Sequence, residues 1–276
     1  MHILDGKKLS DEIIENIKEK IFKEKLKIGF AIIWIGNNEA SQIYVKNKIK
    51  KSEYVGIKVE LFHLDETITE KEVINLIEEL NNRRDINGIL LQSPVPDHIN
   101  ITNCFNKIHP KKDIDGFSNI SSGNLYLGNP FHISCTPKGI IKLLESYNIV
   151  LAGKNVCIIN RSNIVGKPLL HLLINQDATV TMCHSKTTNL SEHTKNADIV
   201  ISAVGKPNFI TENMIKQGAV VIDVGISRIN GKVVGDVDFE NVAKKVSFIT
   251  PVPGGVGPMT IAMVIDNILN SIKEDK

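Results

Sequence analysis

Residues that can bind an anion follow an apolar segment in the second half of the chain. Residues 156–159 are apolar and mostly β-branched, and Asn160, Arg161 and Ser162 come directly after them. An apolar run this short, without polar residues in it, indicates a strand that is buried on both faces. Pro168 and the leucines after it then indicate a helix. Because α/β proteins bind nucleotide phosphates where such a strand ends and a helix begins, the Arg and Ser side chains predict an anion site.

The next predicted strand, residues 179–183, indicates which nucleotide binds. NAD-binding folds usually place an Asp or Glu roughly twenty residues after the first turn, against the ribose 2′-hydroxyl. Here the strand is followed by His-Ser-Lys-Thr, which includes Ser185 and Lys186 but no carboxylate. Positive charge and hydrogen-bond donors suit the 2′-phosphate of NADP, so NADP is favoured over NAD. The alternative for Lys186 is a solvated basic turn.

A second group of candidate residues lies in the first half of the chain. Tyr44 and Lys48 are four positions apart in a predicted helix at residues 40–55, so they lie on one face of it. Gln92 ends a predicted strand, and Asp115 lies in a charged loop that can reach the same edge of the sheet. The four residues predict a site for proton transfer. The alternative is a solvated lysine-rich helix face with a structural Tyr.

Strands and helices must alternate in both halves to position these residues. This alternation predicts an α/β fold with two α/β domains, the second a Rossmann-like parallel-sheet domain that binds NADP, and an active-site cleft between them. We expect the first domain, residues 1–118, to be catalytic and the second to comprise residues 119–276. A final helix at residues 259–272 is expected to pack back on the first domain. Predicted strands cover residues 30–35, 57–64, 88–92, 156–159, 179–183, 198–204, 219–224 and 246–249, and predicted helices cover 9–26, 40–55, 69–82, 190–196 and 211–216.

Whole-chain properties exclude several classes of protein. The 276 residues suffice for two domains with cores. A formal net charge of +2, from 33 basic and 31 acidic residues, gives no reason to expect nucleic acid binding. No apolar run approaches the ~18 residues of a membrane span, and no signal peptide pattern opens the chain. The four cysteines form no C-x-x-C pair, so we expect reduced thiols in a cytoplasmic protein. Asp236 and Asp238 are interpreted as turn acids, and no metal site is predicted.

Nine motifs occur in order along nearly the whole chain and together resemble one family. That family is the bifunctional methylenetetrahydrofolate dehydrogenase/methenyltetrahydrofolate cyclohydrolases. The motifs are Ser41-x-x-Tyr44-x-x-x-Lys48, Gly88-Ile-Leu-Leu-Gln92-x-Pro-Val-Pro96, Lys112-Asp-Ile-Asp-Gly116, Cys135-Thr-Pro137, Arg161-Ser-Asn-Ile-Val-Gly-Lys-Pro168, Cys183-His-Ser-Lys-Thr187, Val221-Ile-Asp-Val-Gly-Ile226, Gly235-Asp-Val-Asp238 and Pro251-Val-Pro-Gly-Gly-Val-Gly-Pro-Met-Thr260.

The resemblance implies an activity and partners. It implies NADP-dependent oxidation of 5,10-methylenetetrahydrofolate to 5,10-methenyltetrahydrofolate, followed by hydrolysis to 10-formyltetrahydrofolate, in one-carbon metabolism that serves purine biosynthesis. It also implies a homodimer that binds small tetrahydrofolate derivatives.

The resemblance assigns roles to individual residues as well. Lys48 would be the general acid/base and Tyr44 its partner and a stacking surface, while Gln92 would tune Lys48 and Asp115 would hold the pterin. The residues expected to contact NADP are Asn160, Arg161, Ser162, Ser185 and Ile226.

Three residues depart from the family pattern. Asn160 stands where the family usually has Gly, and its side chain is large enough to crowd the cofactor. Ser93 replaces a common Leu after Gln92, and Ser134 replaces a common Pro. Two other classes of protein account for only part of the sequence. A shikimate-dehydrogenase-like oxidoreductase would explain the NADP half but not Tyr44, Lys48 and Gln92 together, and a nucleotide-sensing module would explain the second half only.

Overall fold

The computed structural model describes residues 1–272, apart from the side chain of Ala40. The chain forms two compact units. The N-terminal unit comprises Asp11–Cys135 and the chain from Ile261 onward, and the C-terminal unit comprises Met1–Ser10 and Thr136–Thr260. These limits differ from the predicted 1–118 and 119–276, of which residues 273–276 lie outside the described part. The predicted class, two α/β units with a parallel sheet, is confirmed.

The elements of both units are numbered here in chain order. They are β1 (His2–Ile3), α1 (Gly6–Glu24), β2 (Gly29–Ile35), α2 (Glu39–Tyr54), β3 (Lys58–Leu64), α3 (Glu70–Asn82), β4 (Gly88–Leu91), α4 (Ile101–Phe105), α5 (Asn119–Tyr126), α6 (Cys135–Ser146), β5 (Asn155–Ile159), α7 (Gly166–Ile174), β6 (Thr179–Cys183), α8 (Leu190–Lys195), β7 (Ile199–Ser202), β8 (Val220–Asp223), β9 (Ser227–Ile229), β10 (Lys232–Val234), α9 (Phe239–Val242), β11 (Phe248–Ile249) and α10 (Val256–Asn270).

The N-terminal unit is built on a three-stranded parallel sheet in the order β3-β2-β4. Every residue of β2 and β4 is buried, as their continuous apolar sequences predict. Helix α3 begins with the predicted capping box of Thr69 and Glu72 and packs Val73, Ile77 and Leu80 into the core. Because β2 has a neighbour on each side, the carboxyl ends of β2 and β4 form a topological switch point, where open α/β sheets bind ligands.

The C-terminal unit is built on a six-stranded sheet in the order β1-β11-β8-β7-β5-β6, in which every pairing is parallel. Strand β1, from the start of the chain, extends the edge at β11, which explains why residues 1–10 belong to this unit. Strand β5 lies between β6 and β7, so its carboxyl end is the switch point of this sheet. Asn160 and Arg161 follow β5 at that point.

Several elements differ from those predicted. The helix expected at residues 211–216 is only a 3-10 turn, Glu212–Met214. The polar helix α5 was not predicted, because its sequence carries no amphipathic pattern. The β9–β10 hairpin was also missed, although Asn230-Gly231 is a strong hairpin signal. Both residues have positive φ, 50° and 77°, as a type I′ turn requires.

Two further findings concern membranes and metals. Within residues 1–272, no helix has both the length and the apolarity that a membrane span needs. The same residues hold no group of three or more His, Cys, Asp or Glu side chains arranged to bind a metal ion. The four cysteines are buried free thiols.

Candidate active site and nucleotide site

Lys48 and Gln92 are brought together in the N-terminal unit. Asn38 caps helix α2 by accepting a hydrogen bond from the backbone N–H of Ser41 at 3.0 Å, which sets the start of the helix that carries Lys48. The Lys48 Nζ donates to Gln92 Oε1 at 3.1 Å. Gln92 follows β4 directly, its backbone N–H donates to Ile33 O at 2.8 Å, and its Nε2 donates to Ser93 O at 2.6 Å. The ammonium group is therefore held at the switch point of this sheet.

Asp115 lies within electrostatic range of Lys48. Burial raises the pKa of the Asp115 carboxyl above its ordinary value. The positive charge of Lys48 lowers this pKa, and the negative charge of Asp113 raises it further. The Cys135 thiol donates to Asp115 Oδ1 at 3.7 Å. Because this carboxylate is poorly solvated, it is suited to accept hydrogen bonds from a ligand.

Two residues that received no predicted role hold the loop that carries Asp115. The buried Asp113 carboxylate accepts hydrogen bonds from Phe117 N at 3.2 Å, Ser118 N at 2.9 Å and Ser121 Oγ at 2.7 Å. Asn267 in helix α10 donates from Nδ2 to Ile114 O at 2.7 Å and to Ile133 O at 2.8 Å. The two closely spaced acids of Lys-Asp-Ile-Asp-Gly were a sequence signal that could have indicated a role for Asp113. No such signal marked Asn267, because it lies in a mostly apolar helix.

Tyr44 occupies the predicted helix face one turn before Lys48. Its side chain is 42% exposed, and within residues 1–272 its hydroxyl makes no hydrogen bond. The predicted pairing of the phenol with the Lys48 ammonium is therefore not formed in this structure. What the residue offers is an accessible ring, which suits stacking against a flat ligand.

The Asn160 side chain turns into the protein and closes the turn after β5. Its Oδ1 accepts from Ser162 N at 2.7 Å and from Gly166 N at 3.1 Å, and its Nδ2 donates to Ala203 O at 2.6 Å. Any Cβ at position 166 would overlap the Asn160 carbonyl, so this glycine is required by the close approach of α7. The expectation that Asn160 crowds the nucleotide does not fit this geometry.

The start of helix α7 has no spare amide donors for an anion. Gly166 N is bonded to Asn160, Lys167 N donates to Ser162 O at 3.0 Å, and Pro168 has no N–H. In contrast, Arg161 is exposed and makes no hydrogen bond or ion pair with any described residue. An anion at this turn therefore cannot rely on the amides of the helix start, and the exposed Arg161 guanidinium is the charged donor that the turn offers.

Ser185 and Ile226 occupy loops at the carboxyl edge of the same sheet. Ser185 is exposed in the turn after β6, where Thr187 Oγ1 accepts from His184 N at 2.8 Å. Ile226 is 46% exposed just after β8. Because the strands are parallel, both residues lie at the edge that also carries Arg161.

Comparisons with known proteins match both units. Residues 4–115 match the model for the tetrahydrofolate dehydrogenase/cyclohydrolase catalytic domain, and residues 134–276 match the model for the NAD(P)-binding domain of the same family. The bifunctional protein FolD of Clostridium novyi (strain NT) is 49% identical over 274 residues, which are 98% of this chain and 99% of the relative.

Solved structures agree with this result. The bifunctional FolD methylenetetrahydrofolate dehydrogenase/cyclohydrolase of Campylobacter jejuni is 48% identical, with a TM-score of 0.98 and full coverage of both chains. The Trypanosoma brucei FolD, solved with NADP cofactor and inhibitor, is 33% identical, with a TM-score of 0.93 over 99% of this chain and 97% of that one. The predicted family resemblance is confirmed. The chain belongs to the tetrahydrofolate dehydrogenase/cyclohydrolase family, and both the catalytic and the NAD(P)-binding domain are present in it.

Proposed function

We propose that this protein carries out two consecutive reactions on a one-carbon unit bound to tetrahydrofolate. It is a methylenetetrahydrofolate dehydrogenase that uses NADP, and a methenyltetrahydrofolate cyclohydrolase that forms 10-formyltetrahydrofolate. Besides family membership, the observation that carries the proposal is the 3.1 Å hydrogen bond between Lys48 and Gln92, with Asp115 in electrostatic range. A shikimate-dehydrogenase-like enzyme and a nucleotide-sensing module account for neither.

One assay tests both activities. The purified protein is supplied with 5,10-methylenetetrahydrofolate and NADP, and NADPH, methenyl product and formyl product are followed with time. We expect NADPH to form together with the methenyl product, and added methenyltetrahydrofolate to be hydrolysed without NADP. A protein that does neither would overturn the proposed function.

Asp115 and Tyr44 would bind the folate. A pterin presents an amide N–H and an amino group side by side, and one carboxylate can accept from both. Asp115 is suited to this because its negative charge is poorly solvated and the surrounding loop is held by Asp113. The exposed ring of Tyr44 would stack on the substrate.

Lys48 would act as the general acid/base in hydrolysis. A water oxygen adds to the methenyl carbon and gives up one proton to solvent. The carbon–oxygen double bond then forms as the hydroxyl gives up its remaining proton, the bond from that carbon to one folate nitrogen breaks, and this nitrogen takes up a proton. The Lys48 ammonium can donate that proton, and Gln92 keeps it in place by accepting a hydrogen bond from Nζ. In the oxidation, these residues mainly align the substrate.

The C-terminal unit has the side chains that NADP requires. Arg161 is an exposed cation with no partner among the described residues, and Ser162 and Ser185 add hydroxyl groups at the same sheet edge. Residues 184–187 include no carboxylate that would repel a 2′-phosphate. When bound, NADP would supply the acceptor for the hydride. Asn160 would contribute backbone contacts, since its side chain is engaged, and Ile226 would contribute an apolar contact.

Replacing Arg161 with Ala is expected to raise the Michaelis constant for NADP by about 10–150-fold. This is the loss of a charge-assisted contact to phosphate, on the order of 1.5–3 kcal/mol. The Michaelis constant for NAD, measured in parallel, should change far less. Lys167→Ala is a matched control, because that neighbouring cation is already bonded to Asn163 at 2.7 Å. Equal effects of Arg161→Ala on NADP and NAD would show that Arg161 does not bind the 2′-phosphate.

Replacing Asn160 with Gly, the usual family residue, is expected to destabilise the protein without improving NADP binding. The change removes the hydrogen bonds to Ser162, Gly166 and Ala203, which should cost about 1–3 kcal/mol of unfolding free energy. Denaturant unfolding and the Michaelis constant for NADP measure the two effects. A variant of unchanged stability that binds NADP more tightly would show that the Asn side chain obstructs the cofactor.

We also propose a cytoplasmic homodimer. The family resemblance implies the dimer, and the four free thiols suit a reducing compartment. Light scattering coupled to size-exclusion chromatography should give twice the 30.6 kDa mass of one chain. The mass of one chain at micromolar concentration would contradict the dimer.

A further inference from the structure

Two buried acids lie in motifs to which the proposed function assigns no acidic role. Asp223 ends strand β8 within Val221-Ile-Asp-Val-Gly-Ile226, and Asp236 follows β10 within Gly235-Asp-Val-Asp238. Their exposed fractions are 4% and 0%. Neither carboxylate forms an ion pair with a Lys or Arg among residues 1–272. Two buried carboxylates without a cation are costly, so they must be held by many hydrogen bonds.

Asp236 holds the segment that follows β7. Its Oδ2 accepts from Ser202 Oγ at 2.8 Å and from Val204 N at 2.7 Å, and its Oδ1 accepts from Lys206 N at 2.9 Å. Gly205, between the last two, has a φ of +69°, which favours glycine. The course of the chain from Ser202 to Lys206 is therefore set by one carboxylate.

Asp223 holds the segment that follows β8 and also the backbone of Asp236. Its Oδ1 accepts from Gly225 N at 3.2 Å and from Asp236 N at 2.9 Å, and its Oδ2 accepts from Val237 N at 2.9 Å. Burial raises the pKa of Asp223 to about 6, and the charge of Asp236 contributes to this rise. The Asp223 carboxylate thus fixes the backbone that carries the Asp236 side chain.

Two glycines make the arrangement reciprocal. A Cβ on Gly225, two residues after Asp223, would overlap the Asp236 carboxylate. A Cβ on Gly235, next to Asp236, would overlap the Asp223 carboxylate. The two motifs are thus the two halves of one hydrogen-bonded unit, which we call the carboxylate clamp (Asp223, Gly225, Gly235 and Asp236).

The carboxylate clamp connects to the turn that carries Arg161. Strand β7 lies between β5 and β8, so the segments after these strands are neighbours at one sheet edge. Asn160 Nδ2 donates to Ala203 O at 2.6 Å, and Ser227 Oγ donates to Gly205 O at 3.1 Å. A continuous set of hydrogen bonds therefore runs from the Arg161 turn to the exposed Ile226.

Taking NADP as the ligand from the proposed function, we propose that Asp223 and Asp236 are positioning residues for the cofactor. They hold the backbone at residues 204–206 and 225–226 in the conformation that binds NADP, and they act through that backbone without touching the ligand. Hydrolysis of the methenyl group depends on Lys48 and needs no NADP. Loss of the clamp should therefore separate the two activities.

The test uses Asp223→Asn and Asp236→Asn in the full-length protein. Each change turns an acceptor oxygen into an N–H₂ donor that faces other N–H groups, so the held segments must shift. We expect the Michaelis constant for NADP to rise about 10–100-fold. The dehydrogenase turnover at saturating NADP and the cyclohydrolase rate should stay within about twofold of the parent, since neither depends on how tightly NADP binds.

Asp238→Asn is the matched control. Asp238 belongs to the same motif, but among residues 1–272 its side chain accepts only from Asn241 Nδ2, at 2.8 Å, outside the clamp. The Michaelis constant of the Asp238→Asn variant for NADP should equal that of the parent. If neither Asn variant folds, Ser202→Ala removes a single donor to Asp236 and should raise the Michaelis constant for NADP by a few fold while the cyclohydrolase rate stays at that of the parent.

Two results would overturn the proposal. One is an unchanged Michaelis constant for NADP in the folded variants. The other is a parallel loss of dehydrogenase and cyclohydrolase activities, which would mean that the acids serve only global stability. A parent protein without either activity would instead overturn the proposed function.

Discussion

Replacing Lys48 with Met is expected to slow methenyltetrahydrofolate hydrolysis by about 10²–10⁴-fold, the typical contribution of a general acid/base group. Met keeps the length and the apolar stem of the side chain but removes the ammonium group, which donates a hydrogen bond to Gln92 Oε1 at 3.1 Å. Only hydrolysis must deliver a proton to a leaving nitrogen. Hydride transfer depends on alignment, so a substantial part of the dehydrogenase rate should survive.

Both rates are measured on one purified variant, and a thermal melt checks its folding. Lys46→Met is a suitable control, because Lys46 is exposed on the same helix two positions away and therefore faces elsewhere. It should hydrolyse at the parent rate. If Lys48→Met also melts normally and hydrolyses at the parent rate, Lys48 is not the acid/base group.

Asp115→Asn is expected to lower kcat/KM of both activities by at least about 10²-fold. A loss of this size is what the removal of two hydrogen bonds to a charged carboxylate should cause. Asn keeps the size of the side chain but presents a donor to the donors of the pterin. Both reactions use the same bound folate, so both should fall. Loss of one activity alone would mean that Asp115 serves a chemical step rather than binding.

The same variant should be at least as stable as the parent at pH 7. Burial raises the pKa of Asp115 in the folded protein, so the charged carboxylate costs free energy there that a neutral amide does not. Folding then favours proton uptake, and this cost falls as the pH drops through the raised pKa towards the unfolded value of about 4. The stability difference between variant and parent should shrink over that range. Thermal melts between pH 7 and pH 4 measure it, and a strongly destabilised variant would contradict this account.

The local chemistry of both sites could be predicted from sequence alone. The continuous apolar runs of β2, β4 and β5 identified buried parallel strands, and polar residues that follow such strands must lie at their carboxyl ends. Helical spacing placed Tyr44 and Lys48 on one face of α2, and the Thr69 capping box marked the start of α3. These are local signals, which depend on residues a few positions apart.

Only the tertiary structure decided the contacts between residues that lie far apart in the chain. The strand β1 joins β11 across nearly the whole sequence, and a two-residue strand has no periodicity to detect. Asn267 reaches Ile114 from an apolar helix. The sequence indicated Asn160 as a departure, but the direction of its side chain depends on Ala203 in the neighbouring segment. Likewise, the sequence placed Asp223 in a strand and indicated Asp236 only as a turn acid. That folding buries the two together could not be predicted, because burial and hydrogen-bond partners are properties of the packed chain.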